Sequence, residues 1–266
     1  VLQIQNCFIR IYERFVDKMQ KESIKFTDSV VFEGMTSIRA IIKSIDDNIS
    51  DRRIERILFD KSKMHKIAKE VGYLRAVSKK YGFSILEESS EKIDELSIGD
   101  SHGGIIAIAS ERDIPCLVDS CGILQNGFYA MIDGIEDPYN FGYALRSLYA
   151  MGCDGIILAE RNWMSAAGVV ARSSAGASER FKIYKSQPTD AVEIFKQKGY
   201  TVVCADLRTD EILGECELKT PILLVVGGEK RGISKSVLSL ADKLVKIDYG
   251  REFNASLSAA SAVTMF

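Results

Sequence analysis

The stretch Ile222-Leu-Leu-Val-Val-Gly-Gly-Glu-Lys-Arg-Gly-Ile-Ser234 decides the fold. Its apolar run, rich in Val and Leu and without alternation, reads as a short strand buried on both faces, which belongs in a parallel sheet. The strand runs into paired glycines, Gly227 and Gly228, where a ligand can approach the backbone closely and amides are left free to read its edge. Ser234 then offers an N-cap for a following helix. The spacing is neither G-x-x-x-x-G-K-[ST] nor G-x-G-x-x-G, so this is neither a phosphate loop nor a dinucleotide fingerprint. A tight turn without a ligand is the plain alternative.

On either side, strand candidates at 128–132, 155–159, 201–205, 222–226 and 244–247 alternate with helical patterns. This predicts a mostly parallel sheet covered on both faces. Two further segments share the strand, turn, helix pattern. In Asn140-Phe-Gly-Tyr-Ala-Leu-Arg146, after the turn Asp137-Pro138, Asn140 is the expected N-cap and Gly142 keeps the first turn open. Arg146 projects obliquely to Asn140 from the same helix. In Ile247-Asp-Tyr-Gly-Arg-Glu-Phe-Asn-Ala-Ser-Leu-Ser-Ala-Ala260, a strand end and glycine loop lead into a helix of small residues, which lets another backbone come close. A capped surface helix and ordinary core packing are the plain readings of these two.

Upstream, short β-rich runs at 30–32, 54–59, 83–86 and 104–109 alternate with helical patterns at 35–45 and 62–80, a small α/β domain. Before them, Ile4, Phe8, Ile11, Phe15 and Met19 recur at three and four, one apolar helix face suited to packing. Turn chemistry at 110–126, with Pro115, Asp119, Gly122 and Asn126, marks a boundary. The expected organisation is therefore a leading helix over 1–24, a small α/β domain over 25–115 and a parallel-sheet domain over 116–266.

Composition narrows the function. The chain has 266 residues, 46% hydrophobic and 27% charged, which excludes a disordered or fibrous protein. No apolar stretch approaches the ~20 residues of a membrane span. A net charge of −2 means that a polyanion must be attracted by a local patch. Residues 52–80 supply one, with ten bases against three acids. Arg52, Arg53, Lys63, Lys66 and Lys69 in this run are candidate nucleic-acid contacts, against the simpler reading of a solvated helix face. The six cysteines form no C-x-x-C pair and only two histidines, His65 and His102, are available, so no metal site is expected. No leader pattern opens the chain, which points to reduced thiols and a cytoplasmic location. His102, the lone Trp163 and Cys153 read as structural residues.

Taken in order and with their separations, the three segments resemble the motifs of the SpoU, or TrmH-like, branch of the SPOUT RNA methyltransferases: N-x-G-x-x-x-R, then G-x-E-x-x-G-[IL]-S, then a motif close to S-L-N-V-S followed by alanines. The resemblance covers about residues 127–266. Between the first two motifs, Arg172-Ser-Ser-Ala-Gly-Ala177 is similar to the family's R-x-S-A-G-A segment. The third motif departs from the pattern, with Glu252 at the usual Ser, Phe253 at the usual Leu and Asp248 where Pro is usual.

The resemblance implies an α/β fold: a C-terminal trefoil-knot (SPOUT) parallel-sheet domain preceded by a small α/β, ribosomal-protein-like RNA-binding domain. It implies 2′-O-ribose methylation of structured RNA, rRNA rather than tRNA, by a homodimer formed through the C-terminal domain. S-adenosyl-L-methionine would be held by Gly227, Gly228, Ile247, Phe253, Ser256 and Leu257. Arg146, Asn140, Glu229 and Asn254 would be catalytic. A guanidinium seldom loses its proton, so Arg146 is better suited to stabilising the developing oxyanion than to acting as the base usually assigned to this position. Asn140 and Asn254 would orient ribose and phosphate, and Glu229 would hold Arg146 or its loop. A non-catalytic RNA-binding protein with the same fold and a base-modifying relative are the alternatives.

Overall fold

The computed structural model describes residues 29–99, 102–118, 122–159, 166–228, 231–251 and 257–266. The leading helix expected near the start of the chain, Trp163, Glu229, Phe253, Asn254 and Ser256 lie outside the described residues.

Two sheets organise the chain. The first contains β1 (Ser29–Glu33), β2 (Ile54–Asp60), β3 (Ser84–Glu88) and β4 (Ile105–Ser110) in the order β1-β4-β2-β3. β4 pairs antiparallel with β1 and β2, and β2 pairs parallel with β3. Helices α1 (Gly34–Asp46), α2 (Met64–Tyr81) and α3 (Ser90–Leu96) connect them. The pleat sends Ile105, Ala107 and Ala109 to the side covered by α1 and α2, while Ile106 and Ile108 join Leu58 and Ile93 on the other face. α2 stops where Gly82 adopts φ 74° and donates its N–H to Ser78 O, a left-handed cap that costs glycine nothing.

The second sheet contains β5 (Phe128–Asp133), β6 (Gly155–Leu158), β7 (Lys182–Lys185), β8 (Thr201–Ala205), β9 (Ile222–Gly227) and β10 (Lys243–Val245), in the order β10-β8-β9-β5-β6-β7. Every neighbouring pair is parallel. Its helices are α4 (Pro138–Ala150), α5 (Ala167–Ser173), α6 (Ala177–Arg180), α7 (Pro188–Gln197), α8 (Lys235–Leu240) and α9 (Ala259–Met265). Alternate residues of each central strand face opposite cores. Ala130, Ile132, Leu224 and Val226 pack with α4 and α9, and Tyr129, Met131, Leu223 and Val225 pack with α7 and α8. That double burial is why these strands read as unbroken apolar runs.

β7 and α3 escape the sequence reading. β7 is a four-residue edge strand flanked by lysines, with no run long enough to register, and α3 is seven residues with only Ile93 buried. Cys153 and Cys204 sit inside these cores, where burial pushes each thiol up to about 12, so both behave as small apolar residues. Among the described residues no helix is long and apolar enough to cross a membrane.

The two sheets touch through α5 and α6, which pack on β1 and α1. A Cβ on Gly168 would collide with Val31 O, and one on Gly176, at φ 85°, would lie 2.5 Å from the Ala40 Cβ.

Candidate functional site

β5 and β9 are neighbours, with Asp133 opposite Gly227, so their carboxyl ends lie side by side where an open parallel sheet places its ligands. The chain leaving β9 folds back on itself. Gly228 N donates to Asp133 O at 2.6 Å, Gly232 N donates to Gly228 O at 2.9 Å, and Ser234 N donates to Asp133 Oδ2 at 3.0 Å. The glycines have an internal reason to be there, beyond the ligand approach expected of them. A Cβ on Gly228 would strike Gly134 O, and one on Gly227 would lie 2.5 Å from Gly232 C and Ile233 N. Gly228, Gly232 and Ser234 are thus tied to one another and to the end of β5, with Gly227 itself half-buried.

The helix cap differs from expectation. Asp137 is the N-cap of α4, accepting from Tyr139 N at 3.3 Å and Asn140 N at 3.1 Å, with Pro138 in the first turn. The Asp-Pro dipeptide carries this signal, since Pro suits the first helical position. The Asn140 side chain is therefore free to bond elsewhere, and its Oδ1 accepts from Ala260 N at 3.2 Å, at the start of α9. Farther along, Ser147 Oγ and Thr264 Oγ1 lie 2.8 Å apart, so α4 and α9 run side by side in the same sense. Ser258 caps α9 by accepting from Ser261 N at 3.1 Å, and the small Ala259 and Ala262 are buried against the core. Gly142 does not serve an open first turn. It is buried, and a Cβ there would collide with Ser173 Oγ.

Arg146 lies six residues beyond Asn140, about 9 Å along the helix axis. It is exposed and has no hydrogen-bond or ion-pair partner among the described residues. Tyr139 and Tyr143, 40% and 52% exposed, stand two turns and one turn before it on the same face. Ile247 is half-buried and packs on the cluster formed by α4, β5 and β9, and Leu257 is half-buried just before α9. β10 is separated from β9 by β8, so the third segment begins away from the β5–β9 crest and ends beside α4.

The basic run divides. Arg52 is not a surface contact: it is 3% exposed, and its guanidinium meets Glu179 at 2.9 Å and Ser110 O. Lys63 pairs with Asp60 at 3.4 Å. Arg53, Lys66 and Lys69 are exposed, and Lys66 and Lys69 have no ion-pair partner among the described residues. Beside them, Arg39 stacks over the Tyr73 ring at 5.5 Å, a platform that sequence reasoning missed because the two lie on different helices. His102 is structural: its Nδ1 accepts from Gly104 N at 3.1 Å, which leaves the Nε2 proton for Asp94 Oδ1 at 3.0 Å. No group of three potential metal ligands occurs among the described residues.

Residues 127–266, the whole second sheet, match the model of the SpoU rRNA Methylase family. The chain is 27% identical over 197 residues to the 23S rRNA (guanosine-2′-O-)-methyltransferase RlmB of Shewanella oneidensis, covering 71% of this chain and 79% of that protein. Its fold is that of a crystal structure of an RNA 2′-O ribose methyltransferase, with a TM-score of 0.73 at 20% identity over 90% of this chain and 86% of the other. It is also that of the SpoU methyltransferase AviRb from Streptomyces viridochromogenes, solved with AdoMet, with a TM-score of 0.71 at 20% identity over 90% of this chain and 87% of the other. The α/β architecture, the parallel second sheet and the family match agree, and the chain belongs to the SpoU rRNA Methylase family.

Proposed function

We propose that this chain is an S-adenosylmethionine-dependent methyltransferase that modifies a ribose 2′-hydroxyl of structured RNA, ribosomal RNA in preference to tRNA. The observation that carries the reading is the meeting of the three motifs: Asn140 is tied to the start of α9 while the β9 glycine loop is tied to the end of β5, one turn before the same helix. A surface cap or a silent turn would require no such convergence.

The site suits the cofactor. Gly227, Ile247 and Leu257 are half-buried and uncharged, and Ile247 packs on the cluster that includes Val226 of β9, the kind of surroundings that a flat nucleoside needs. These residues, with Gly228, Phe253 and Ser256, would hold it. When bound, the cofactor supplies a methyl group on a sulfonium, open to attack from the side opposite its leaving group. Arg146 donates hydrogen bonds to the 2′-oxygen as negative charge develops there, a role to which an exposed guanidinium is suited. The Oδ1 of Asn140 is engaged by Ala260, which leaves its amide N–H groups to orient ribose or phosphate. Glu229 and Asn254 complete the catalytic group, Glu229 by holding Arg146 or its loop.

The reading extends to the rest of the chain. Residues 25–115 form the substrate-binding domain, with Arg53, Lys66 and Lys69 on its RNA face. A trefoil knot in the C-terminal domain belongs to this reading, and its support is that α9 follows the edge strand β10 in sequence yet packs beside α4. Tyr139, Tyr143 and Met265 leave an apolar face on α4 and α9 that suits a homodimer through the C-terminal domain. The protein acts in the cytoplasm.

Incubation with tritiated S-adenosylmethionine and unmodified bacterial rRNA transcripts, followed by nuclease digestion, tests the reading. Label in nuclease-resistant dinucleotides is expected, because a 2′-O-methyl removes the hydroxyl that hydrolysis uses. Label confined to mononucleotides would mark a base methyltransferase, and RNA binding without label would mark a non-catalytic relative.

A further inference from the structure

The most elaborate buried polar network among the described residues lies away from the motifs, between the two sheets. It centres on residues 172–180, the stretch that resembles a family motif yet faces the small domain. Glu179, 3% exposed, receives the Arg52 guanidinium through Nε at 2.9 Å and NH2 at 3.4 Å. The same guanidinium lies over the Phe32 ring at 4.6 Å. Arg112, also buried, donates to Ser178 O at 3.2 Å, Phe181 O at 2.7 Å and Ile49 O at 3.0 Å, joining the second sheet to the loop after α1. At the other end, Glu33 of β1 takes an ion pair from Arg172 and backbone N–H groups from Ile98 at 2.6 Å and Gly99 at 3.1 Å. Between the two polar ends the contact is backbone on backbone, with Gly168 against Val31 O.

Loosely tethered domains meet through wetter, more polar surfaces that tolerate relative motion. A charge pair removed from water at both partners is different: separating the surfaces would expose uncompensated charges on each side. We propose that segment 172–180 is a rigid clasp that fixes the RNA-binding domain at one distance and angle from the methyl-transfer site. Arg52, Glu33, Arg172 and Glu179 are positioning residues, and the clasp determines which ribose reaches Arg146. This rests on the functional reading above. RNA held on the α2 face of the small domain reaches the site as part of one rigid body, and a small misplacement of a reacting atom is enough to cost about 10²-fold in rate.

The test uses the full chain with Glu179→Gln, which keeps the shape and removes the charge, and Gly168→Ala, which wedges α5 off β1 without touching a charged group. Small-angle scattering should show a larger maximum dimension for both, while affinity for S-adenosylmethionine stays at the wild-type value. Hydroxyl-radical footprints on an rRNA transcript should change from one fixed pattern to two unlinked ones. With active enzyme, kcat/KM should fall about 10²-fold and primer extension should show methylation spreading to neighbouring riboses. Unchanged scattering in both variants, or opened domains with an unchanged footprint and target nucleotide, overturns the clasp. Equal loss of cofactor affinity also overturns it, since the residues would then support the catalytic fold itself. An inactive wild-type chain would sink the methyltransferase reading alone, because scattering and footprints still decide the clasp.

Discussion

At the residue scale the proposed chemistry rests on Arg146, which is exposed and has no hydrogen-bond or ion-pair partner among the described residues, on a helix whose inner face is packed. Its replacement by Ala would remove the group proposed to touch the reacting oxygen and leave the packed face of the helix intact. Arg146→Ala should lower kcat by on the order of 10²–10³-fold, the usual cost of one transition-state donor, with cofactor affinity by calorimetry unchanged. A parallel loss of cofactor binding would move Arg146 out of the role given to it. Asp60 offers a pH-dependent counterpart in the small domain. Its side chain is fully buried, which by itself raises the pKa, yet hydrogen bonds from Ser62 and Ser90 and the Lys63 ammonium outweigh burial and lower it to about 2. A carboxyl depressed in the folded state stabilises the protein above its ordinary pKa of about 4 and loses that contribution as pH falls toward about 2. Asp60→Asn should therefore lower the melting temperature at pH 7 and flatten the decline of stability between pH 4 and pH 2. Parallel wild-type and variant curves in that window would show that Asp60 contributes nothing of this kind.

At the element scale, periodicity is legible in the sequence and partnership is not. The buried strands β5, β6, β8 and β9 stand out because both faces are covered, whereas β7 at the sheet edge lacks the run. The three motifs are visible as strand, turn and helix, but the partners of their residues are not. Gly142 reads as part of an open turn and is a contact for Ser173, and Asn140 reads as a cap and is the tie to Ala260. Both contacts join segments far apart in sequence, which spacing cannot reveal. Asn140→Ala should cost about 1 kcal/mol in thermal or denaturant unfolding through the lost bond to α9, in addition to its effect on turnover. Gly228→Ala should act differently, since its Cβ would strike the turn after β5: cofactor affinity should fall sharply even though no ligand contact is removed. Retained affinity would show that the loop relaxes without cost.

At the scale of the whole molecule, charge alone misplaces one residue. Arg52 heads the basic run, but the fold turns it inward onto Glu179, and nothing in a count of bases distinguishes it from its exposed neighbour Arg53. The exposed remainder comprises Lys66 and Lys69 on α2 together with the Arg39–Tyr73 pair that joins α2 to α1. Reversing Lys66 and Lys69 to Glu should weaken RNA binding and flatten its dependence on salt by about two phosphate contacts, without altering cofactor affinity. The central claim is that the three motif segments form one methyl-transfer site for a ribose oxygen. Its most direct measurement is mass spectrometry of an rRNA transcript treated with the wild-type chain, the Arg146→Ala variant and S-adenosylmethionine. The account predicts a single 2′-O-methylated nucleotide with the wild type and none with the variant, and methylation that survives in the variant, or that falls on a base, would contradict it.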